Sequence, residues 1–253
     1  MKTLLDLEIA GQGATTNIYR DGGTAIKLYV NASFDEVNNE AERQRFAYNA
    51  GLPVSAVYGV HKLDENTVAL HMAYINGLPL IRPGMDKDER RTAIRTLVKL
   101  QCMVHSVNAI NLRKQSDMLA WKITHSQFMD YPLKIALIAL LNRLDNSAVN
   151  LCHGDFHPLN ILYDGSKHWI IDWVDASSGD PLADACKSYL IFKQYMARSA
   201  GIYLRFFCEE AKVKQDGILQ WLPVVAAARL SDNMEDGQRA LLLGIVSEWR
   251  DNL

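Results

Sequence analysis

The chain has 253 residues, of which 49% are hydrophobic and 22% charged, with 27 Lys plus Arg against 29 Asp plus Glu. Such a composition describes a globular chain of one or two domains that closes a core without disulfides or metals, and it excludes disordered, collagen-like and cysteine-stapled classes. A net charge of −2 with scattered basic residues offers no cationic surface for a phosphate backbone, so nucleic acid is not expected as a partner.

Along the chain, residues 4–9 alternate weakly between apolar and polar, and residues 17–20 and 24–29 are β-prone runs around the hairpin turn signal Asp21-Gly22-Gly23. Residues 34–49 carry Val37, Ala41, Gln44 and Tyr48 at helical spacing and stop at Gly51, with Pro53 beyond. Residues 57–61 and 67–72 read as two more strands. The character then changes: residues 86–107 form an amphipathic helix with Ile94, Leu97, Leu100, Gln101, Val104 and His105 along one stripe, and 131–144 form another. A short hairpin, 160–163 and 168–171, turns at Asp164-Gly165-Ser166, and 182–253 is mainly helical. Strands first and helices after imply an α+β chain in two lobes, not an alternating βαβ sheet. The expected division is an N-terminal lobe of residues 1–78 and a C-terminal lobe of residues 79–253, with 77–84 as hinge.

Four cysteines, Cys102, Cys152, Cys186 and Cys208, form no CxxC pair and suit free thiols in a reducing compartment. Apolar runs such as 221–228 fall far short of the roughly 18 residues that a membrane span requires. Asp6 and Glu8 interrupt what would be the apolar stretch of a signal peptide. A cytoplasmic chain is expected, with no membrane association and no evident protein partner.

The segment richest in chemistry is His153-Gly154-Asp155-Phe156-His157-Pro158-Leu159-Asn160, followed by Ile170-Ile171-Asp172-Trp173. A polar loop entering a short hairpin can gather Asp155, Asn160 and Asp172 around one small volume. Asp155 would accept a proton from a substrate hydroxyl. Asn160 and Asp172 would offer oxygens to Mg²⁺, a hard cation that takes such donors together with phosphate oxygens. Positioning reactants and neutralising charge in this way is the logic of phosphoryl transfer.

These residues resemble the catalytic signature of the aminoglycoside phosphotransferase and choline kinase family, the small-molecule branch of the protein-kinase-like fold. Asp172 stands where that fold keeps its metal-binding aspartate, with Trp173-Val174 in place of Phe-Gly. The resemblance implies a two-lobed kinase-like fold and an ATP- and Mg²⁺-dependent phosphotransferase acting on a small hydroxylated molecule, with nucleotide bound between the lobes.

Further residues fit in the family's order. Gly11-Gln12-Gly13 with Ile18 resembles a glycine flap over phosphates, Thr16 replacing its third glycine, in a strand-turn-strand context that a Rossmann motif would not have. Ala25-Ile26-Lys27 resembles the strand that carries the nucleotide lysine. With a period of two, Ala25 and Lys27 share a strand face, so Ala25 and Ile18 could enclose adenine while Lys27 reaches the phosphates. Glu40 best matches the family's helix glutamate by its spacing to the turn before Pro53, and Glu36, one turn earlier, is the alternative. Residues 70–77 resemble the hinge, where Ala73 and Ile75 would present backbone groups to adenine. Taken singly, the glycines are turn residues, Lys27 a strand lysine and Glu40 a solvated helix residue; their common order selects the functional reading.

Two other readings compete. His153, Asp155 and His157 at alternate positions could ligate a metal in a hydrolase, or the chain could be a catalytically silent nucleotide-binding module. For the acceptor, residues 205–253 hold eight acidic and six basic side chains, a balance compatible with a cationic acceptor such as an aminoglycoside or choline.

Overall fold

In the computed structural model, residues 8–12 and 16–252 are described. They divide into two compact units: the described residues up to 82 with 159–175, and residues 83–158 with 176–252. Among the described residues, no helix is long and apolar enough to cross a membrane.

The first unit is built on an antiparallel sheet, β1 (Glu8–Gln12), β2 (Asn17–Asp21), β3 (Thr24–Val30), β4 (Val57–Lys62) and β5 (Thr67–Ala73), in the order β1-β2-β3-β5-β4. Of the weak alternation at 4–9, residues 4–7 lie outside the described residues, and Glu8 and Ile9 fall in β1. Helix α1 (Phe34–Asn49) starts as its sequence dictates: Ser33 accepts from the Glu36 amide while the Glu36 carboxylate accepts from the Ser33 amide, a reciprocal cap. Val37 and Ala41 of α1 then bury against Val68 and Leu70, with Tyr29, Val57, Val60 and Met72 around them. The helix thus covers the face of the sheet that carries Lys27, because Leu70 stands directly opposite Lys27 in the β3–β5 ladder.

A second, three-stranded sheet completes this unit. It joins β6 (Leu78–Pro79) to β8 (Ile161–Tyr163) and β9 (His168–Ile170). The approach is close: a Cβ on Gly77 would lie 3.0 Å from Leu162 Cβ and 3.2 Å from the Tyr163 carbonyl oxygen, so only glycine fits there without a shift.

The second unit is mainly helical. It comprises α2 (Lys87–His105), α3 (Gln115–His125), α4 (Tyr131–Leu144), α5 (Pro181–Tyr195), α6 (Ala197–Ala211), α7 (Gln215–Leu219), α8 (Leu222–Arg229) and α9 (Asp236–Asp251), with a two-stranded ribbon of β7 (Asn150–Cys152) and β10 (Ser177–Gly179). Helices α2, α5, α6 and α8 interlock around Ile94, Leu97, Leu190, Phe192, Tyr203, Phe207 and Val224, all fully or nearly fully buried. Asp86 caps α2 and Asp180 caps α5, each with its carboxylate on amides of the first turn. The α+β expectation and the long helices hold. Helix α3 and the β7–β10 ribbon have no counterpart in the sequence reading.

Ser33→Ala removes the α1 cap and is expected to cost about 1 kcal/mol, read as a lowered denaturation midpoint with an unchanged slope. An unchanged midpoint would remove the cap from the account of how α1 is placed.

Candidate active site

In the first unit, the β3 register brings Lys27 opposite Ile18 of β2, and Ile18 in turn opposite Gly11 of β1. Directly paired residues of antiparallel strands share a face, so Gly11, Ile18, Ala25 and Lys27 all lie on the side that α1 covers. Gly13 lies outside the described residues.

Lys27 is buried, and its ammonium is held from two directions: Nζ donates to Glu40 Oε1 of α1 at 2.8 Å and to Asp172 Oδ1 at 3.0 Å. Burial pulls such a group towards the neutral amine. Asp172 and then Glu40 overrule it and hold Lys27 charged, above the usual lysine range. Tyr29 donates its hydroxyl to the second oxygen of Glu40, and burial raises that phenol. Of the two glutamates left open by spacing, Glu40 meets the lysine, whereas Glu36 is occupied by the Ser33 cap.

Asp172 adopts the left-handed backbone region, φ = 67°, which costs on the order of 1 kcal/mol or more for a non-glycine residue and tends to mark functional positions. The β8–β9 ladder explains where it sits. Ile161 pairs with Ile170, and the Ile171 amide donates to the Asn160 carbonyl at 3.0 Å, so Asn160 and Asp172 lie at the same end of the hairpin. Arg43 of α1 donates to the Trp173 carbonyl at 3.2 Å, tying the helix to the residue after Asp172, while the Trp173 indole is fully buried. Sequence spacing had no signal for Arg43. The oxygen donors of Asn160 and Asp172 fit Mg²⁺, which commonly takes one or two protein ligands and completes its shell with phosphates and water. At the end of β5, the Ala73 amide donates to Ala56, so the Ala73 carbonyl is the group it can offer to a base.

In the second unit, the loop after β7 carries Asp155. His157 Nε2 lies 3.2 Å from Asp155 Oδ2, and the side chain is one-third exposed. Burial acts to raise this carboxyl, but the His157 hydrogen bond and the charges of Lys187, His157 and His153 outweigh it and hold Asp155 well below the ordinary range. It is an ionised acceptor at neutral pH. Lys187 escapes sequence reasoning because it looks like a helix-surface lysine, and His157, a metal ligand in the hydrolase reading, stands instead as the hydrogen-bond partner of Asp155.

Beneath this loop lies a buried polar network. Gly154, at φ = 81°, turns its amide onto Asp184 Oδ1 at 2.8 Å, while Asp184 Oδ2 receives His105 Nε2 at 2.9 Å and Gln101 at 3.3 Å. Gln101 also donates to Ser188 and accepts from the Tyr203 hydroxyl. Desolvation would raise Asp184, yet His105 first, then His153 and the Gly154 amide, keep it lowered. Of the residues of the hydrolase reading, His157 meets Asp155 while His153 is fully buried edge-on to Phe156, and among the described residues no three His, Cys, Asp or Glu side chains gather as a metal site.

The chain matches the profile of a family described as "Phosphotransferase enzyme family" over residues 7–216. No curated protein sequence matches it significantly. Among solved structures, it is similar to a thermostable mutant of aminoglycoside phosphotransferase APH(4)-Ia in complex with ADP and hygromycin B, with 16% identity, 96% of this chain and 92% of that one covered, and a TM-score of 0.68. A choline/ethanolamine kinase family protein from Mesorhizobium loti aligns at 21% identity over 97% and 87% of the chains, with a TM-score of 0.61. Choline kinase LicA from Streptococcus pneumoniae aligns at 13% identity over 95% and 92%, with a TM-score of 0.65. These likenesses establish a shared fold.

Asp155 and Asp184 ionise more readily in the folded chain than in the unfolded one, where a carboxyl titrates near 3.9. Their contribution to stability is therefore complete above about pH 4 and is lost as pH falls further. Denaturation midpoints between pH 2 and 6 should fall with acid, and Asp184→Asn should flatten that fall. A variant curve parallel to the wild type would contradict the assignment.

Proposed function

The chain belongs to the phosphotransferase enzyme family, and from that membership we propose that it transfers the γ-phosphoryl group of ATP, bound with Mg²⁺, to a hydroxyl of a small molecule. The observation that carries the nucleotide half of this reading is the Lys27 ammonium, buried and braced by Glu40 and Asp172. A strand lysine needs no such bracing to be structural. An ammonium fixed at one point suits the nucleotide phosphates.

Gly11, Ile18 and Ala25 share its sheet face and are suited to cover the nucleotide, with Ala73 and Ile75 offering backbone groups to the base. Asn160 and Asp172 would hold Mg²⁺, which neutralises charge on the phosphates. Asp155 accepts a hydrogen bond from the acceptor hydroxyl and receives its proton as the oxygen bonds to the γ-phosphorus. The bond to the bridging oxygen breaks, and ADP leaves. So strongly ionised a carboxylate is a weak base, which suits a loose transition state in which the proton departs late. Asp155 thus acts mainly by orienting the hydroxyl, a task in which His157 steadies it. Four free thiols fit a cytoplasmic location.

The reading is tested by ADP release across aminoglycosides, choline, ethanolamine, homoserine and sugars. Asp155→Ala is expected to lower kcat by about 10²- to 10⁴-fold while ATP still binds; wild-type turnover in that variant would remove Asp155 from the chemistry. Asp172→Ala should instead weaken nucleotide binding more in Mg²⁺ than in EDTA, where only the bracing of Lys27 is lost. Equal affinities for variant and wild type in Mg²⁺ would contradict its role as a metal ligand.

A further inference from the structure

The second unit contains a cavity of about 30 Å³ whose wall includes Gly154, the residue before Asp155, together with Ser177, Lys122, Lys187 and Arg229. Its position makes it a candidate seat for part of the acceptor, and its chemistry is specific. Arg229 is 8% exposed and Ser177 is fully buried, yet Arg229 Nε and Ser177 Oγ have no hydrogen-bond partner. Buried polar atoms are seldom left so. An arginine Nε–H can only donate, so what is missing beside it is an acceptor.

The charges agree. Three cationic side chains line the cavity, and Asp184 is the one carboxylate among the described lining residues. Both Asp184 oxygens are already engaged, by the Gly154 amide on one side and by His105 and Gln101 on the other. Asp232, from outside the lining, is shared between Lys122 at 2.8 Å and Arg229 Nη1 at 3.8 Å. The acidic margin of residues 205–253 therefore does not describe this wall, and a quaternary ammonium or amino-sugar nitrogen would meet cations here. The volume admits about two water-sized groups, which suits the two oxygens of a carboxylate better than a phosphate.

We propose that the acceptor is a small hydroxy acid or hydroxy amino acid whose carboxylate sits against Arg229 and Ser177 while its hydroxyl reaches Asp155. This rests on the phosphotransferase reading and narrows its substrate class.

Matched pairs that differ by the carboxylate alone test it: L-serine with ethanolamine, L-homoserine with 3-aminopropan-1-ol, and glycerate with ethylene glycol, each assayed for ADP formation with Mg·ATP. In at least one pair kcat/KM should favour the acid by tenfold or more. Arg229→Gln and Ser177→Ala should each bring that ratio towards one, chiefly by raising KM for the acid. Loss of folded protein lowers both members alike and leaves the ratio intact, so a variant that merely misfolds cannot mimic this result. Equal or better turnover of the decarboxylated members overturns the inference and leaves the kinase standing, as does a ratio unchanged in both variants. If no pair supports ADP formation, the three acids are titrated calorimetrically into the protein saturated with Mg·ADP. Absence of binding overturns the inference, and turnover of an aminoglycoside or choline in the wider panel then decides the kinase reading separately.

Discussion

A lysine ammonium buried between two carboxylates is the constraint around which the N-terminal unit is arranged. Burying an ion is costly, and removing one partner of such a group typically destabilises by about 3–5 kcal/mol, so strand, helix and hairpin must arrive together. The β3 strand supplies Lys27, α1 supplies Glu40, and the hairpin that ends at Asp172 supplies the second carboxylate. Other features serve this meeting. The Ser33–Glu36 cap starts α1, Val37 and Ala41 seat it on the sheet, Arg43 fastens it to Trp173, and the left-handed backbone at Asp172 aims its carboxylate. A buried charge held this way is weak evidence of stability for its own sake. In the proposed function it is a charge kept ready for the nucleotide phosphates.

The second unit solves a related problem with hydrogen bonds. Asp184 is buried and ionised because an imidazole, an amide side chain and a backbone N–H all point at it. In return it fixes Gly154 in a conformation that glycine adopts freely, and the next residue is Asp155. Asp155, the proposed proton acceptor, is thus positioned from below by this network. A single family signature spans the two units, since Asp155 and Asn160 are only five residues apart in the chain.

Much of this is legible in the sequence where the signal is local. Helix α1 shows its spacing over 34–49 and its stop at Gly51, and the order of glycines, lysine, glutamate and aspartates follows a linear pattern. What stays hidden depends on partners distant in the chain. The strands Asn150–Cys152 and Ser177–Gly179 are three residues each and exist because they pair with one another, so no periodicity announces them. Arg43 looks like any helix-surface arginine until Trp173 arrives 130 residues later. The Lys27–Asp172 contact was not foreseen either, because an aspartate that reads as a metal ligand gives no hint that it also braces a lysine. Net charge misleads most: a two-residue acidic margin over residues 205–253 says nothing about Lys122, Lys187 and Arg229 lining one wall.

If the buried ammonium exists for nucleotide phosphates, its removal must be felt there first. The most direct measurement is calorimetric titration of Mg·ATP into the wild type and into Lys27→Met, a substitution that keeps much of the side chain's length and apolar stem. The account predicts that the wild type binds and that the variant, though folded, binds at least tenfold more weakly. Equal affinity in the two proteins, or a wild type that does not bind Mg·ATP at all, would contradict it.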